Sequence, residues 1–142
     1  MPPFPSDLIK GPFAIDLGMK VVDAGAGFAR VRLDVQPKHL NRHEMLHGGV
    51  MACLLDTTCG LSCILDETGE VAREVVTVSL TTNFLRGVPV GTIIASGRLR
   101  SGRRTLSVDC DCHDADGHLM ATAMGVFQVV RRDSLKAAIS AS

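Results

Sequence analysis

From Ala29 to Val35, Ala29, Val31, Leu33 and Val35 alternate with Arg30, Arg32 and Asp34. This is the two-residue period of a strand with one face in a core and one in water. The period returns where Leu106, Val108, Cys110 and Cys112 alternate with Thr105, Ser107, Asp109 and Asp111. Residues 47–65 follow a different rhythm. Wound at about 100° per residue, Val50, Met51, Leu54, Leu61 and Leu65 gather on one face, the bulky stripe of a helix that covers a sheet. Gly and Pro punctuation then divides the remaining apolar runs into strands over 18–23, 28–35, 74–85, 91–100, 104–113 and 118–131. Turns are expected at 25–27 and 66–69 and a polar loop at 36–46, while residues 1–11, rich in Pro and Gly, are expected to be irregular. Short connections imply antiparallel pairing of successive strands. One long helix against such a sheet is an α+β architecture. With no repeat, linker or low-complexity tract, one domain over 1–142 suffices.

Composition narrows the function classes. The chain carries 15 Lys plus Arg against 15 Asp plus Glu, so it lacks the basic excess of a sequence-independent nucleic-acid binder. It contains no Trp and no Tyr, the usual stacking platforms for bases. No uncharged apolar run reaches the 18 or so residues of a membrane span, since Asp56 interrupts the best stretch. The opening MPPFPSDLIKGPFAI has no secretory apolar core. Five cysteines, an odd number with Cys53, Cys59 and Cys63 crowded together, do not form a secreted disulfide framework. The expectation is a cytoplasmic location.

Candidate chemistry centres on Asp56. It points away from the bulky stripe, yet its helical neighbours Gly49, Ala52, Cys53, Cys59, Gly60 and Cys63 are small and uncharged. A solvated face would carry Lys and Glu there. The pattern suits close approach by another backbone with a carboxylate inside the contact, although a structural hydrogen bonder or a solvated residue would also fit. At the helix entrance, Gly48 and Gly49 sit in the first turn, where Gly costs about 1 kcal/mol relative to Ala in a helix interior. They would expose backbone N–H groups at the positive end of the helix dipole to a developing oxyanion; a plain loop-to-helix junction is the alternative. Asp56 follows Gly48 by eight residues, about 12 Å of helix axis. A carboxylate and an oxyanion hole serving one carbonyl must both lie within roughly 3 Å of the reacting atoms. One helix cannot easily do both, whereas two antiparallel copies can.

These residues carry a family resemblance. Asn41-x5-His47-Gly48-Gly49-x6-Asp56, within NRHEMLHGGVMACLLDTTCG, resembles the PaaI-type hotdog-fold acyl-CoA thioesterases. The likeness extends through VVTVSLTTNFLRGV (75–88), SGRRT (101–105) and GHLMATAMGVFQVV (117–130). It implies a long central helix wrapped by a curved antiparallel sheet, in dimers commonly paired again into tetramers. It also implies hydrolysis of an acyl- or aroyl-CoA with no cofactor beyond the substrate's own coenzyme A and no metal. By the resemblance, Asp56 is nucleophile or general base, and the Gly48 N–H polarises the thioester carbonyl. Asn41 lies near the carboxylate and its water, His47 stands beside the same pocket, and Thr77 hydrogen-bonds the water or the carboxylate. Asp56 would come from one subunit and Asn41, His47 and Gly48 from the other.

Arg86, Arg103 and Arg104 are candidates for the coenzyme A phosphates, because a guanidinium fork suits phosphate oxygens. A solvated hairpin turn at 102–104 is the alternative. Cys110, Cys112 and His113 do not make a metal site, since the cysteines share one strand face and the histidine lies on the other. Met51, Leu54, Phe84 and Leu85 are candidates to line an acyl pocket. The competing reading of the whole is a non-catalytic acyl-CoA-binding or sensing protein with the same fold; a hotdog dehydratase would need a His-plus-acid arrangement that HGG does not offer.

Overall fold

The computed structural model describes residues 4–141. In chain order they form α1 (Pro12–Leu17), β1 (Lys20–Gly25), β2 (Phe28–Val35), a 3-10 turn (Pro37–His39), α2 (Gly48–Leu61), β3 (Glu74–Phe84), β4 (Gly91–Ser101), β5 (Thr105–Asp114), β6 (Leu119–Val130) and α3 (Arg132–Ala141). The six strands make one sheet in the order β1-β2-β4-β5-β6-β3, every neighbouring pair antiparallel. Helix α2 packs across β2 to β6, as the bulky stripe requires. Leu33, Leu54, Leu55, Leu106 and Val108 are fully buried between helix and sheet. Removing one such leucine side chain costs about 2–5 kcal/mol.

Two glycines set how closely α2 approaches. A Cβ on Gly97 would collide with the Ser62 hydroxyl and sit 3.2 Å from the Thr58 carbonyl. A Cβ on Gly125 would lie 2.6 Å from the Phe127 ring and 3.5 Å from Cys59 Sγ. Small residues on β4 and β6 thus seat the polar and thiol side chains of the second half of the helix.

Four expectations need correction. Successive strands do not all pair: β3 lies beside β6 at the sheet edge, and the chain crosses from there to β4, which pairs with β2 and β5. The helix ends at Leu61 rather than residue 65. Its last turn is rich in side chains that bond back to the backbone, Thr58 Oγ1 to the Leu54 carbonyl at 2.7 Å and Ser62 Oγ to the Thr58 carbonyl at 2.8 Å, a habit that weakens helices. Cys59 and Cys63 do not belong to an outward contact stripe; both are buried against the sheet, leaving Ala52, Cys53, Asp56 and Gly60 half-exposed. Helices α1 and α3 stand where no element was expected. Of the segment expected to be irregular, residues 4–11 carry neither helix nor strand, and 1–3 lie outside the described residues.

Candidate active site

The loop before α2 is held by its own polar groups. Asn41 Oδ1 accepts from the His43 N–H at 2.8 Å and the Met45 N–H at 3.3 Å, a local turn that leaves its amide NH2 as the outward donor. His47 is the N-cap of α2: its Nδ1 accepts from the Gly49 N–H at 2.9 Å, which puts the proton of the neutral ring on Nε2. This explains Gly49, where a Cβ would stand 3.0 Å from that nitrogen. It also corrects the expectation of two bare N–H groups. The Gly49 donor is used by the cap, and only the Gly48 N–H has no acceptor among the described residues.

Sequence reasoning missed His39. It is buried, its carbonyl accepts from the His47 N–H at 2.8 Å, and its Nδ1 accepts from the Gln36 N–H at 3.0 Å. Its Nε2 has no partner among the described residues. The ring thereby anchors the loop that delivers His47 to the helix start. The only signal in the sequence was a histidine two residues before Asn41.

Eight residues into α2, Asp56 is half-exposed and accepts a 2.8 Å hydrogen bond at Oδ1 from Thr77 Oγ1. Thr77 stands on β3 beside a bulge between Thr77 and Ser79, a device that re-aims side chains along an edge strand. The expected pairing of Asp56 with Thr77 is therefore present. Burial first, and the Asp56 charge second, push the neighbouring Cys53 thiol up.

The candidates fall into two groups that do not meet within one chain. Asn41, Gly48, Met51, Phe84 and Arg86 line one cavity of about 330 Å³. Asp56 and Thr77 line another of about 310 Å³ with Leu8, Ile9, Ile64 and Phe127. Leu85 joins the first, whereas Leu54, expected in a pocket, is fully buried in the core. Among the arginines, only Arg86 faces the Gly48 cavity. Arg103 and Arg104 are exposed in the β4–β5 turn, whose backbone is tied to β6 by the Val129 N–H on the Arg104 carbonyl. Cys110 and Cys112 point into the core, away from any shared set with His113. Asp114, Asp116 and His118 do cluster at the β5–β6 turn, but the Asp114 carboxylate already accepts from the Asp116 and His118 N–H groups. Hydrogen bonding from His118 is the main reason its pKa is lowered.

Comparison with known proteins gives a consistent picture. The family model described as the thioesterase superfamily matches residues 43–121, the span from the Asn41 loop to β6. A Saccharolobus solfataricus protein named "Putative esterase SSO2140" is 33% identical over 116 residues, 81% of each chain. The acyl-coenzyme A thioesterase PaaI of Escherichia coli is 32% identical over 91 residues, 63% of this chain and 61% of its own. The solved structure of that protein superposes with a TM-score of 0.78 at 26% identity over 86% of both chains. A conserved Pseudomonas aeruginosa protein superposes with a TM-score of 0.81 at 30% identity, over 89% of this chain and 100% of that one. The shared architecture is the hotdog fold.

Proposed function

The chain belongs to the thioesterase superfamily, and on that premise we propose that it hydrolyses an acyl- or aroyl-CoA thioester to the free acid and coenzyme A at a site completed by a second copy. The carrying observation is the hydrogen bond from Thr77 to Asp56 beside an unpaired sheet edge, with the helix-start donor in a separate cavity. The acyl-coenzyme A thioesterase activity in the name of the Escherichia coli relative supports the substrate class.

Strand β3 is an edge strand bearing Val76 and Val78, 37% and 61% exposed. An exposed apolar edge is a template for another strand. If two copies pair antiparallel with the two-fold between Leu80 and Thr81, in the second half of β3, Thr77 of one lies level with Phe84 of the other. The Phe84 ring stands 3.6 Å from where a Gly48 Cβ would be. The second copy's helix start then comes to this Asp56, which solves the 12 Å problem within one chain.

In that site the Gly48 N–H, at the positive helix end, stabilises charge on the thioester oxygen. Thr77 occupies Asp56 Oδ1 and leaves Oδ2 to act. Oδ2 either attacks the carbonyl carbon, giving an anhydride and coenzyme A thiolate, or takes a proton from the attacking water; label from heavy-oxygen water in the Asp56 carboxylate after one turnover identifies the first route. In the proposed site Arg86, which lines the Gly48 cavity, meets a coenzyme A phosphate, and Arg103 and Arg104 are secondary candidates. No helix among the described residues is long and apolar enough to cross a membrane, and the cytoplasm is the location we propose.

The test is release of coenzyme A, read with a thiol-trapping dye, from a panel of acyl- and aroyl-CoAs. Turnover should occur and should fall at least about 10³-fold in Asp56→Ala with the fold and oligomer intact. Full activity in that variant overturns the mechanism. Tight binding without turnover across the panel would make this a sensing protein.

A further inference from the structure

The cavity beside Asp56 does not end there. It shares Leu8, Lys10, Ile64 and Glu74 with the largest cavity described, about 710 Å³, which extends past Val71 to Arg73 and Arg132. Both volumes lie in or near the range of small-molecule sites. The near part is walled mainly by aliphatic side chains: Leu8, Ile9 and Ala14 from the N-terminal segment, Leu61 at the end of α2 and Ile64 in the turn after it. The far part changes character. Lys10 and Glu74 stand at the junction and line both parts; beyond them Asp7, Glu70, Arg73 and Arg132 add both signs of charge, and Arg132 pairs with Glu74 at 3.0 Å.

We propose that this continuous groove is the acyl-chain channel, that residues 8–14 form its outer wall, and that it selects straight aliphatic chains of medium length. The proposal rests on the thioesterase reading for which end of the substrate faces Asp56. Charge sets the direction: Arg86 stands in the Gly48 cavity with no carboxylate among the described residues that line it, whereas Lys10, Arg73 and Arg132 of the groove are matched by Asp7, Glu70 and Glu74, so the polyanionic end goes to the first and the chain to the second. Length follows from geometry. Ile64 lies eight residues beyond Asp56: α2 covers the first five, and a turn bonded from Cys63 N–H to the Gly60 carbonyl and from Ile64 N–H to the Leu61 carbonyl covers the rest, so the span is roughly 12 Å and takes about eight to ten carbons before the charged rim begins. A longer chain must run its methylenes past ionised groups, whereas a short one leaves the aliphatic wall uncovered. Each methylene buried should favour binding by about two- to four-fold.

Straight-chain acyl-CoAs from two to sixteen carbons, with benzoyl-CoA, test this on the full-length protein. The kcat/KM should climb at least about thirty-fold between four and ten carbons and stop rising beyond. Ile64→Trp, which fills the junction, should lower the ten-to-four-carbon ratio ten-fold or more. Val71→Asp changes a side chain that is 43% exposed, so folding is not at stake, and should depress twelve-carbon and longer substrates several-fold relative to four. A flat profile, benzoyl-CoA outranking decanoyl-CoA, or ratios unmoved in both variants overturns the channel. Calorimetric binding of acetyl- and decanoyl-CoA to Asp56→Ala separates the two layers. A gradient in binding without turnover by the wild type keeps the channel and removes the hydrolase. Turnover with no gradient in binding or rate does the reverse.

Discussion

The outward face of β2, β4 and β5 and the free edge at β3 are both exposed, but they are built from opposite chemistry. On the first, Arg32 pairs with Asp34 at 2.9 Å, Thr92 Oγ1 donates to the same carboxylate at 2.8 Å, and Arg100 pairs with Asp109 at 3.5 Å. The Arg32 hydrogen bond, followed by that from Thr92, lowers the Asp34 pKa. These groups satisfy one another and water, and such exposed pairs contribute about 0–1 kcal/mol each. On the second, Val76 and Val78 of β3 face out and the strand has no neighbour on one side among the described residues. Exposure of satisfied charge marks a solvent face. Exposure of aliphatic side chains on an unpaired backbone offers the edge at which the second copy we propose would pair.

The largest effect should come from breaking β3. Val78→Arg puts a charge on each of two facing strands, and light scattering should show monomer where the wild type shows dimer or higher. Thioesterase activity should fall more than about 100-fold, because Asp56 loses the other copy's Gly48. The matched change on the outer face, Arg100→Ala, should leave assembly and activity alone and move stability by less than about 0.5 kcal/mol. A monomeric, fully active Val78→Arg protein would show that one chain holds the whole site.

Next comes the hydrogen bond that joins β3 to the helix. A hydrogen bond to a charged group contributes about 1.5–3 kcal/mol, or roughly 10- to 100-fold in rate if it holds the reactive carboxylate. Thr77→Val should lower kcat by that amount with little change in KM, and Thr77→Ser should restore most of it. A Ser variant that loses activity while the Val variant keeps it would mean that the methyl group's packing matters rather than the hydroxyl.

The contrast between the two surfaces also shows what the chain's pattern discloses. Strict alternation located β2 with its bounds, and the rows around Leu106 and Cys112 face the core as the period requires. The distance from Asp56 to Gly48 was legible because helical rise is a local property, whereas the Asp56–Thr77 pair, 21 residues apart, was reached only through the family resemblance. The neighbour of β3 was not, since a period says which face is wet and nothing about which strand lies alongside. The helical wheel misassigned Cys59 and Cys63 because small residues fit an outward contact and an inward glycine seat equally well, and only Gly97 and Gly125 on other strands decide. Helix α3 has only two large apolar residues to announce it, Leu135 and Ile139 one turn apart, the rest being alanines and polar residues. The aliphatic groove draws on α1, the end of α2 and β3 together, so no single stretch of sequence records it.

A smaller effect separates the arginines. Arg86→Ala should raise KM for acyl-CoA about five- to ten-fold, the weight of one phosphate contact, and leave a thioester lacking the nucleotide unaffected. Arg103→Ala and Arg104→Ala, in an exposed turn, should raise KM less. If they raise it more, the nucleotide crosses the β4–β5 turn rather than the entrance at Arg86.

The mildest prediction uses one strand with two faces. On β5, Asp109 and Asp111 point out into water, while Cys110 and Cys112 point in. Burial, then the nearby Asp114 charge, pushes the Cys112 thiol up to about 12, and burial pushes Cys63 to about 11, against an ordinary value of 9.0. Below pH 9 these thiols keep their protons whether the chain is folded or not, so they add no pH dependence. Above it the unfolded chain releases protons that the folded chain must retain, and stability falls as pH rises toward 11 and 12. The chain has no Tyr, so phenol ionisation does not overlay this window. Urea midpoints should be level from pH 7 to 8.5 and fall between 9 and 10.5, with a shallower fall in Cys112→Ala measured against its own neutral-pH value. Asp111→Asn should leave the slope unchanged. A slope indifferent to Cys112 would mean that the inward face of β5 opens to water well before the fold is lost.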